Sequence, residues 1–438
     1  MTNLILRLTL FFVSTVLGAS LWAVPRNPPP VFDTDYQLPT THAPMPEASL
    51  HVTNGLATAF YVVLLVLTLL AVYRFRSRKI IFGLTIISTV ILGFVFHGCP
   101  CPVGMVQNIL DGLLNPNAYV PLTVMILFAL PLVTALFFGR VFCASVCPIG
   151  AVQEILAFKP VKIPNVVDDV LGLFRYFWLG LGLFFVATGL GYMICQFDPI
   201  VPVFRHLSGL PGPLTFTVMI LGIGLIVGRP YCRFLCPYSV LLGLCASVTA
   251  KKVTVTPGRC SQCRLCEAVC PYNAILTPTT PPNAEERRRG PMRLLITIAV
   301  FPLLLAFFGY LGYKTAPLLS YRHHAVRTAQ LLYAEEMKYV QHFGTFPETK
   351  TLILSGIDGD TVYLTAEKVM NRFRVAGLYL GLWFGVVIAT KLISIQLRRR
   401  RTDYEVDPSR CLACGRCFWY CPNQQSERHL LTEPEPQS

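Results

Sequence analysis

The sequence predicts an all-α integral membrane protein of about eight transmembrane helices. A cysteine-rich domain split between two distant segments lies on one side, and a small α/β cap on the other. Three observations predict this. Only 14% of the 438 residues are charged and 53% are hydrophobic, whereas a soluble domain carries about 25% charged residues. Eight apolar stretches are long enough, or nearly so, to cross a bilayer, at about 4–23, 55–73, 80–97, 119–138, 173–194, 214–228, 293–313 and 376–397. Sixteen cysteines recur at short spacings that suit metal ligation rather than a disulfide framework. Collagen, disorder and a small disulfide-stapled scaffold are excluded by the same numbers. The net charge of +14, from 37 Lys and Arg against 23 Asp and Glu, reads as basic loops beside membrane lipid, and no nucleic-acid partner is expected.

The elements follow in chain order. Residues 1–53 are expected to hold an N-terminal anchor and a Pro-rich outer segment. Arg7 precedes the first apolar run and Gly18-Ala19-Ser20 offers small residues, as in a signal peptide. The run is longer than a signal core, and Leu21 and Trp22 make a poor cleavage site, so a retained anchor is favoured. Residues 24–50, with Asn27 to Pro30, read as extended chain. Residues 54–250 form the polytopic membrane core, and 251–292 a first cysteine run and linker. A transmembrane hairpin follows at 293–397, enclosing an outer cap at 314–375, and 398–438 hold a second run and tail. In the cap, Ala325 to Val340 carries helical periodicity through Leu331, Leu332 and Met337, and Thr361 to Leu364 reads as a short strand after the Asp358-Gly359 turn. His323, His324 and His342 read as surface histidines. Gly377, Gly381 and Gly385 repeat every four residues in the last span, a spacing that lets helices approach closely.

Basic residues set the orientation. Arg74, Arg76, Arg78 and Lys79 follow span two, Arg140 follows span four, and Arg229 and Arg233 follow span six. Arg287, Arg288 and Arg289 precede span seven, and Arg398 to Arg401 follow span eight. Alternating spans put all of these on one side, with both termini. The loops at 98–118 and 195–213 fall opposite and hold one basic residue, Arg205. The expected location is a bacterial inner membrane, multi-pass, with both termini and both cysteine runs cytoplasmic.

Two cysteine runs are highly specific. Cys260, Cys263, Cys266 and Cys270-Pro271 form one; Cys411, Cys414, Cys417 and Cys421-Pro422 form the other. Both read C-x2-C-x2-C-x3-C-P, the spacing of a bacterial two-cluster ferredoxin, in which the fourth cysteine of each run ligates the other cluster. Cys260, Cys263, Cys266 and Cys421 are then expected to hold one [4Fe-4S] cluster, and Cys411, Cys414, Cys417 and Cys270 a second. Two spans lie between the runs, so the domain assembles only if both meet on one side. A zinc site normally uses paired C-x2-C units instead.

A second constellation is an internal repeat. Gly139-Arg140-Val141-Phe142-Cys143 to Cys147-Pro148 and Gly228-Arg229-Pro230-Tyr231-Cys232 to Cys236-Pro237 both read G-R-x-aromatic-C-x3-C-P, 89 residues apart. Cys143, Cys147, Cys232 and Cys236 supply four thiols at the membrane surface, for a further iron–sulfur cluster or metal; packing cysteines are the plainer alternative. A third, divergent copy runs from His97 through Cys99, Cys101-Pro102 and Gly104 to Gln107, and matches Cys147-Pro148 through Gly150 to Gln153. With Cys195, Cys99 and Cys101 lie on the outer side, where a metal site including His97 and a disulfide are both open. Cys245 reads as a packing cysteine. No C-x-x-C-H occurs, and none of the eight histidines lies mid-span, so no haem is expected. Arg140 and Arg229 are expected to stabilise reduced clusters or to contact lipid phosphate.

The combination resembles the NapH/NosR-like membrane polyferredoxins over about residues 55–290 and 405–425. The resemblance rests on the two G-R-x-aromatic-C-x3-C-P repeats, the Asp198-Pro199 turn and the two ferredoxin runs. It implies a relay of electrons between the quinone pool or a cytoplasmic donor and redox partners at the membrane. The chain departs from that pattern in the two spans and cap that separate its ferredoxin runs, in lacking a large outer flavin-binding domain, and in Cys99 and Cys101. The expectation is an electron-transfer subunit of an oxidoreductase complex in a respiratory chain, partnered by other subunits and by a quinone or outer redox protein, with no catalytic acid, base or nucleophile. The alternatives are a membrane copper reductase or assembly factor resembling the CcoG-type polyferredoxins, and a structural iron–sulfur anchor.

Overall fold

Apolar helices dominate the chain because long uncharged runs can satisfy their backbone groups only internally. The computed structural model describes residues 47–98, 101–115, 120–158, 160–204, 211–251, 253–254, 263–279, 284–337, 349, 358–397, 401 and 403–422. Five helices among them are long and apolar enough to cross a membrane: Gly55–Tyr73, Arg78–Val95, Asn165–Thr188, Gly290–Ser320 and Gly359–Gln396. Each overlaps an expected span. The stretches expected at 119–138 and 214–228 form shorter apolar helices, Leu122–Phe138 and Gly212–Gly224. The run 4–23 lies outside the described residues, as do Cys99, Cys260, His342 and Arg398 to Arg400. Five helices of spanning length, rather than eight, are therefore found among the described residues. The first helix among the described residues begins at Glu47, so the end of the segment expected as extended is helical.

The chain divides into two compact units. The smaller contains Gly180–Met193 and Arg293–Ile393. Within it the helices Ala284–Ser320 and Gly359–Gln396 meet along their glycines. A Cβ on Gly312 would strike the Gly377 carbonyl, and one on Gly381 would strike the Phe308 carbonyl. The four-residue glycine repeat thus packs two helices of this chain against each other.

The cap expectation is corrected. The helix His324–Glu336 appears where helical periodicity was seen, but Thr361 to Leu364 is not a strand; it lies in the opening turns of the helix Gly359–Gln396. Its apolar residues follow a helical stripe: Val362, Ala366 and Met370 face Val326 and Ala329, and Phe373 packs on Phe184 and Ala316. Among its described residues the cap is helical.

The larger unit contains Val52–Leu179, Ile194–Met292 and the chain from Ser394 onward. Three short helices begin at Cys-Pro dipeptides or just after them: Pro102–Leu114, Pro148–Leu156 and Tyr238–Ser247. In the first two, proline sits where a helix needs no N–H donor, and cysteine takes the capping position. The turns before the second and third use left-handed backbone, at Gly139 (φ 69°) and Arg229 (φ 48°). The chain doubles back there, so Phe142–Ser145 and Pro230–Phe234 re-enter the helical layer. Among the described residues the strands of this unit are Ile275–Leu276 and Glu405–Val406, paired antiparallel with Ile275 opposite Val406.

Candidate functional site

The strand pair brings the two ferredoxin runs together. Asp407 N–H donates to the Ala274 carbonyl (2.7 Å), and the helices Leu265–Val269 and Arg416–Tyr420 pack against each other. Asp407 then organises the second run: its carbonyl accepts from Cys411 N–H (2.9 Å), and its carboxylate accepts from Ser409 N–H (2.9 Å). Left-handed residues Ala413 (φ 51°) and Gly415 (φ 74°) curl the loop back on itself. Cys270, Cys411, Cys414 and Cys417 line one cavity as a result. This is the crossed set expected for the second cluster. Burial pushes the Cys411 thiol up to about 12 and raises Cys414 and Cys417 as well, so a metal must displace their protons to bind. Of the first set, Cys263 is exposed and Cys266 and Cys421 are half-buried, while Cys260 lies outside the described residues.

The re-entrant turns gather the other four expected thiols. Cys143, Cys147, Cys232 and Cys236 are all buried. Every one of their six pairings is close enough for the thiols to feel one another's charge. Gln153 fixes one corner: its Nε2 donates to Cys232 Sγ (3.4 Å), and its Oε1 accepts from Tyr231 N–H (3.0 Å). Tyr61, Phe142 and Tyr238 wall the site, with ring centroids 5.8 and 6.1 Å apart. The site lies several turns along the helix Gly55–Tyr73 from its end. Tyr73 holds the Phe138 carbonyl (2.6 Å) at the helix end. Thr68 meets Ser145 (2.7 Å) further along, and Tyr61 is twelve residues from Tyr73, about 18 Å at the helical rise.

The outer group is also assembled. Cys101 Sγ donates to Asp198 Oδ2 (2.9 Å), and Cys195 Sγ donates to Gln107 Oε1 (2.7 Å). Gly104 N–H donates back to Cys101 Sγ (3.4 Å). Gln107 and Gln153 occupy the same place in their repeats, six residues after the second cysteine, and each touches a thiol from a distant segment.

A buried ionic lattice joins these parts. Glu154, 2% exposed, pairs with Arg229 (2.9 Å) and Arg416 (2.9 Å) and also with Arg78. Tyr272 donates to it as well (2.9 Å). Burial alone would raise the Glu154 carboxyl, but Arg229, Arg78 and Arg416 outweigh it and hold the group well below the usual carboxylate range. Two of these arginines reach onward: Arg229 holds the carbonyls of Cys143 and Ala144, and Arg78 Nη1 donates to the Cys414 carbonyl (2.6 Å). Asp168 makes a second node with Arg233 (2.6 Å) and Arg410 (3.4 Å). Arg140 donates to the Ser409 carbonyl (2.9 Å) and reaches Cys143 Sγ (4.0 Å). The lipid-phosphate expectation for Arg140 and Arg229 is thereby overturned, because both are buried against protein.

The donor set suits clusters. Cysteine thiols gather in both places, Cys270, Cys411, Cys414 and Cys417 at one cavity and Cys143, Cys147, Cys232 and Cys236 in the buried site. A [4Fe-4S] cubane takes one thiolate on each of its four irons, and each place offers four.

Comparison with known proteins agrees. A 4Fe-4S binding domain model matches residues 77–121, 120–166 and 210–256, one match for each Cys-Pro repeat. A second 4Fe-4S binding domain model matches 253–276 and 404–424, the two ferredoxin runs. The chain is an iron–sulfur protein of ferredoxin-like type. Protein NirI of Paracoccus denitrificans is 28% identical over 125 residues, covering 27% of this chain and 18% of that protein. Two uncharacterized proteins of Methanocaldococcus jannaschii are 28% and 29% identical, over 27% of this chain and 44% and 51% of theirs. The chain thus spans about half or less of the curated relatives it matches. No solved structure matches it.

The iron–sulfur reading leaves Glu154, Asp168 and Tyr231 as residues that sequence reasoning gave no role. Glu154 and Asp168 had one signal, acidic residues in a chain poor in them. Nothing in the sequence pairs them with arginines up to 262 positions away.

Proposed function

We propose that this chain is a membrane-bound electron-transfer subunit resembling the NapH/NosR-like polyferredoxins, with two ferredoxin-type [4Fe-4S] clusters and a third iron–sulfur centre on Cys143, Cys147, Cys232 and Cys236. Bound clusters supply one-electron transfer; the protein supplies ligation, spacing and tuning. One observation carries the reading. The Glu154 lattice fastens the Cys414 loop, through Arg78 and Arg416, to the Cys143 and Cys232 loops, through Arg229. A second-run cluster and a buried thiol site locked to one carboxylate are held at a fixed separation, as a relay needs and a mere anchor does not. N–H donors from Ala413 and Gln153 point at the sulfurs of Cys411 and Cys232 and would favour the reduced, more negative state of a bound cluster. The remaining ends of the relay are a quinone or outer redox protein and other subunits of a bacterial inner-membrane complex.

The test is iron and acid-labile sulfide per full-length chain after anaerobic purification, followed by reductive titration. Three [4Fe-4S] centres give about twelve of each, falling to about eight in the Cys232→Ser, Cys236→Ser double variant. About eight in the unsubstituted protein overturns the third centre. Zinc or copper in place of iron, or clusters that neither a quinol nor a low-potential donor reduces, overturns the relay.

A further inference from the structure

Three arginines are buried among the described residues: Arg140, Arg229 and Arg233. Two of them meet carboxylates, Arg229 at Glu154 (2.9 Å) and Arg233 at Asp168 (2.6 Å). Arg140, 3% exposed, meets no carboxylate among the described residues, and its Nε is buried there without a hydrogen-bond partner. Yet Arg140 and Arg229 hold the same place in the two G-R-x-aromatic-C-x3-C-P repeats. One copy has its charge neutralised by an acidic side chain and the other does not. A buried cation without an anion is strongly disfavoured, so something other than a carboxylate must balance Arg140.

The surroundings of the side chain show what that is. Nη2 reaches Cys143 Sγ at 4.0 Å, and Nη1 donates to the Ser409 carbonyl at 2.9 Å. Ser409 lies two residues before Cys411, and Asp407 Oδ1 fixes it by accepting from both its N–H (2.9 Å) and its hydroxyl (2.6 Å). Arg140 and Cys411 line the same cavity, together with Ala413. Lys251 lines it too, but is exposed and so screened by water. The backbone at Arg140 is held as well: Gly139 N–H donates to Thr249 Oγ1 (3.1 Å), and the Arg140 carbonyl accepts from Cys143 N–H (3.1 Å). One fixed guanidinium therefore borders a ligand of the four-thiol centre and a ligand of the second-run cluster.

We propose that Arg140 is the shared counter-cation of these two iron–sulfur centres, and that its charge holds both reduction potentials up. This rests on the iron–sulfur reading of the four buried thiols. A cubane on four thiolates is net negative and gains one more negative charge on reduction. Each centre takes up one electron from its donor, with no bond made or broken, and an arginine keeps its proton throughout. A cation beside both centres stabilises the added charge at each. Arg140 takes no part in the Glu154 ion pairs, so its replacement leaves them in place.

The experiment is a potentiometric titration of the full-length, iron-loaded protein, followed by electron paramagnetic resonance, on Arg140→Gln and Arg140→Lys. The two signals are assigned by their loss in the Cys232→Ser, Cys236→Ser double variant and in Cys414→Ser. In Arg140→Gln, with iron unchanged, reduction of both centres is expected to become at least tenfold less favourable, about 59 mV downward for one electron. Arg140→Lys keeps the charge without the planar fork and should leave both potentials near those of the unsubstituted protein. A purely structural arginine behaves otherwise: both variants shift alike, or both lose iron, and either result overturns the inference. Loss of iron in Arg140→Gln alone shows the same dependence on charge and supports it. A shift at one centre only overturns the shared role. Iron in the unsubstituted protein reads the underlying assignment separately. About twelve irons with unmoved potentials in Arg140→Gln sinks the counter-cation and leaves the third centre standing; about eight removes the third centre and the shared role with it.

Discussion

Replacing Glu154 with Gln tests the ionic lattice at its node. The carboxylate is 2% exposed and neutralises three arginines, of which Arg229 is fully buried. An amide keeps the shape and removes the charge, so Arg229 is left buried without an anion. Breaking a buried pair in this way costs about 3–5 kcal/mol, a fall of about 3–5 °C in the thermal transition of a chain this large. The control is Glu267→Gln. Its pair with Lys162, at 3.0 Å, is well exposed, so the loss is at most about 1 kcal/mol. The assay is thermal unfolding of both variants in one detergent, with iron content measured in parallel. The lattice also predicts selective release: the Cys414 loop loses its tether, and about four irons go before the helices melt. The pH dependence has a definite sign. Arginines depress the folded-state carboxyl, so its contribution is whole above the unfolded value of about 4.3 and is lost as pH falls from there toward the folded value. Equal melting of Glu154→Gln and Glu267→Gln would refute the reasoning.

Three further outcomes follow from the same geometry. Gly381→Ala places a methyl against the Phe308 carbonyl, whereas Gly222→Ala meets nothing within 4 Å; the first should lower thermal stability by about 1–3 kcal/mol and the second should leave it unchanged. Gln153→Leu removes the donor to Cys232 Sγ and should shift the midpoint potential of the four-thiol centre downward in a spectroscopic titration, without changing the iron count. Cys414→Ser removes a buried ligand from the second ferredoxin set and should cost about four irons and four sulfides while the Cys143 and Cys232 loops keep theirs.

Local spacing carried most of what the sequence revealed. The C-x2-C-x2-C-x3-C-P runs and the G-R-x-aromatic-C-x3-C-P repeats are patterns a dozen residues long, set by how a short loop wraps a cluster. The structure brings the members of the second run and of the repeats together where that spacing led. Thr361 to Leu364 was misread for a related reason: four residues with β-branched character look like a strand, and the helical stripe shows only when Val362, Ala366, Met370 and Phe373 are taken together. The runs at 119–138 and 214–228 form helices shorter than expected, because hydropathy does not register a chain that turns back. Gly139, at the end of Leu122–Phe138, and Arg229, at the start of Pro230–Phe234, are both in left-handed backbone, and the turns Phe142–Ser145 and Pro230–Phe234 that follow them are buried. Arg229 shows the deepest gap. By the positive-inside rule it is one more basic residue in a loop, and its charge argues for solvent or lipid. It is fully buried because Glu154, 75 positions earlier, lies where it can meet it. A buried charge becomes affordable only with its partner in place, and that partner is chosen by tertiary packing. The residues that tie the cluster loop to the buried thiols are therefore those least visible in the sequence.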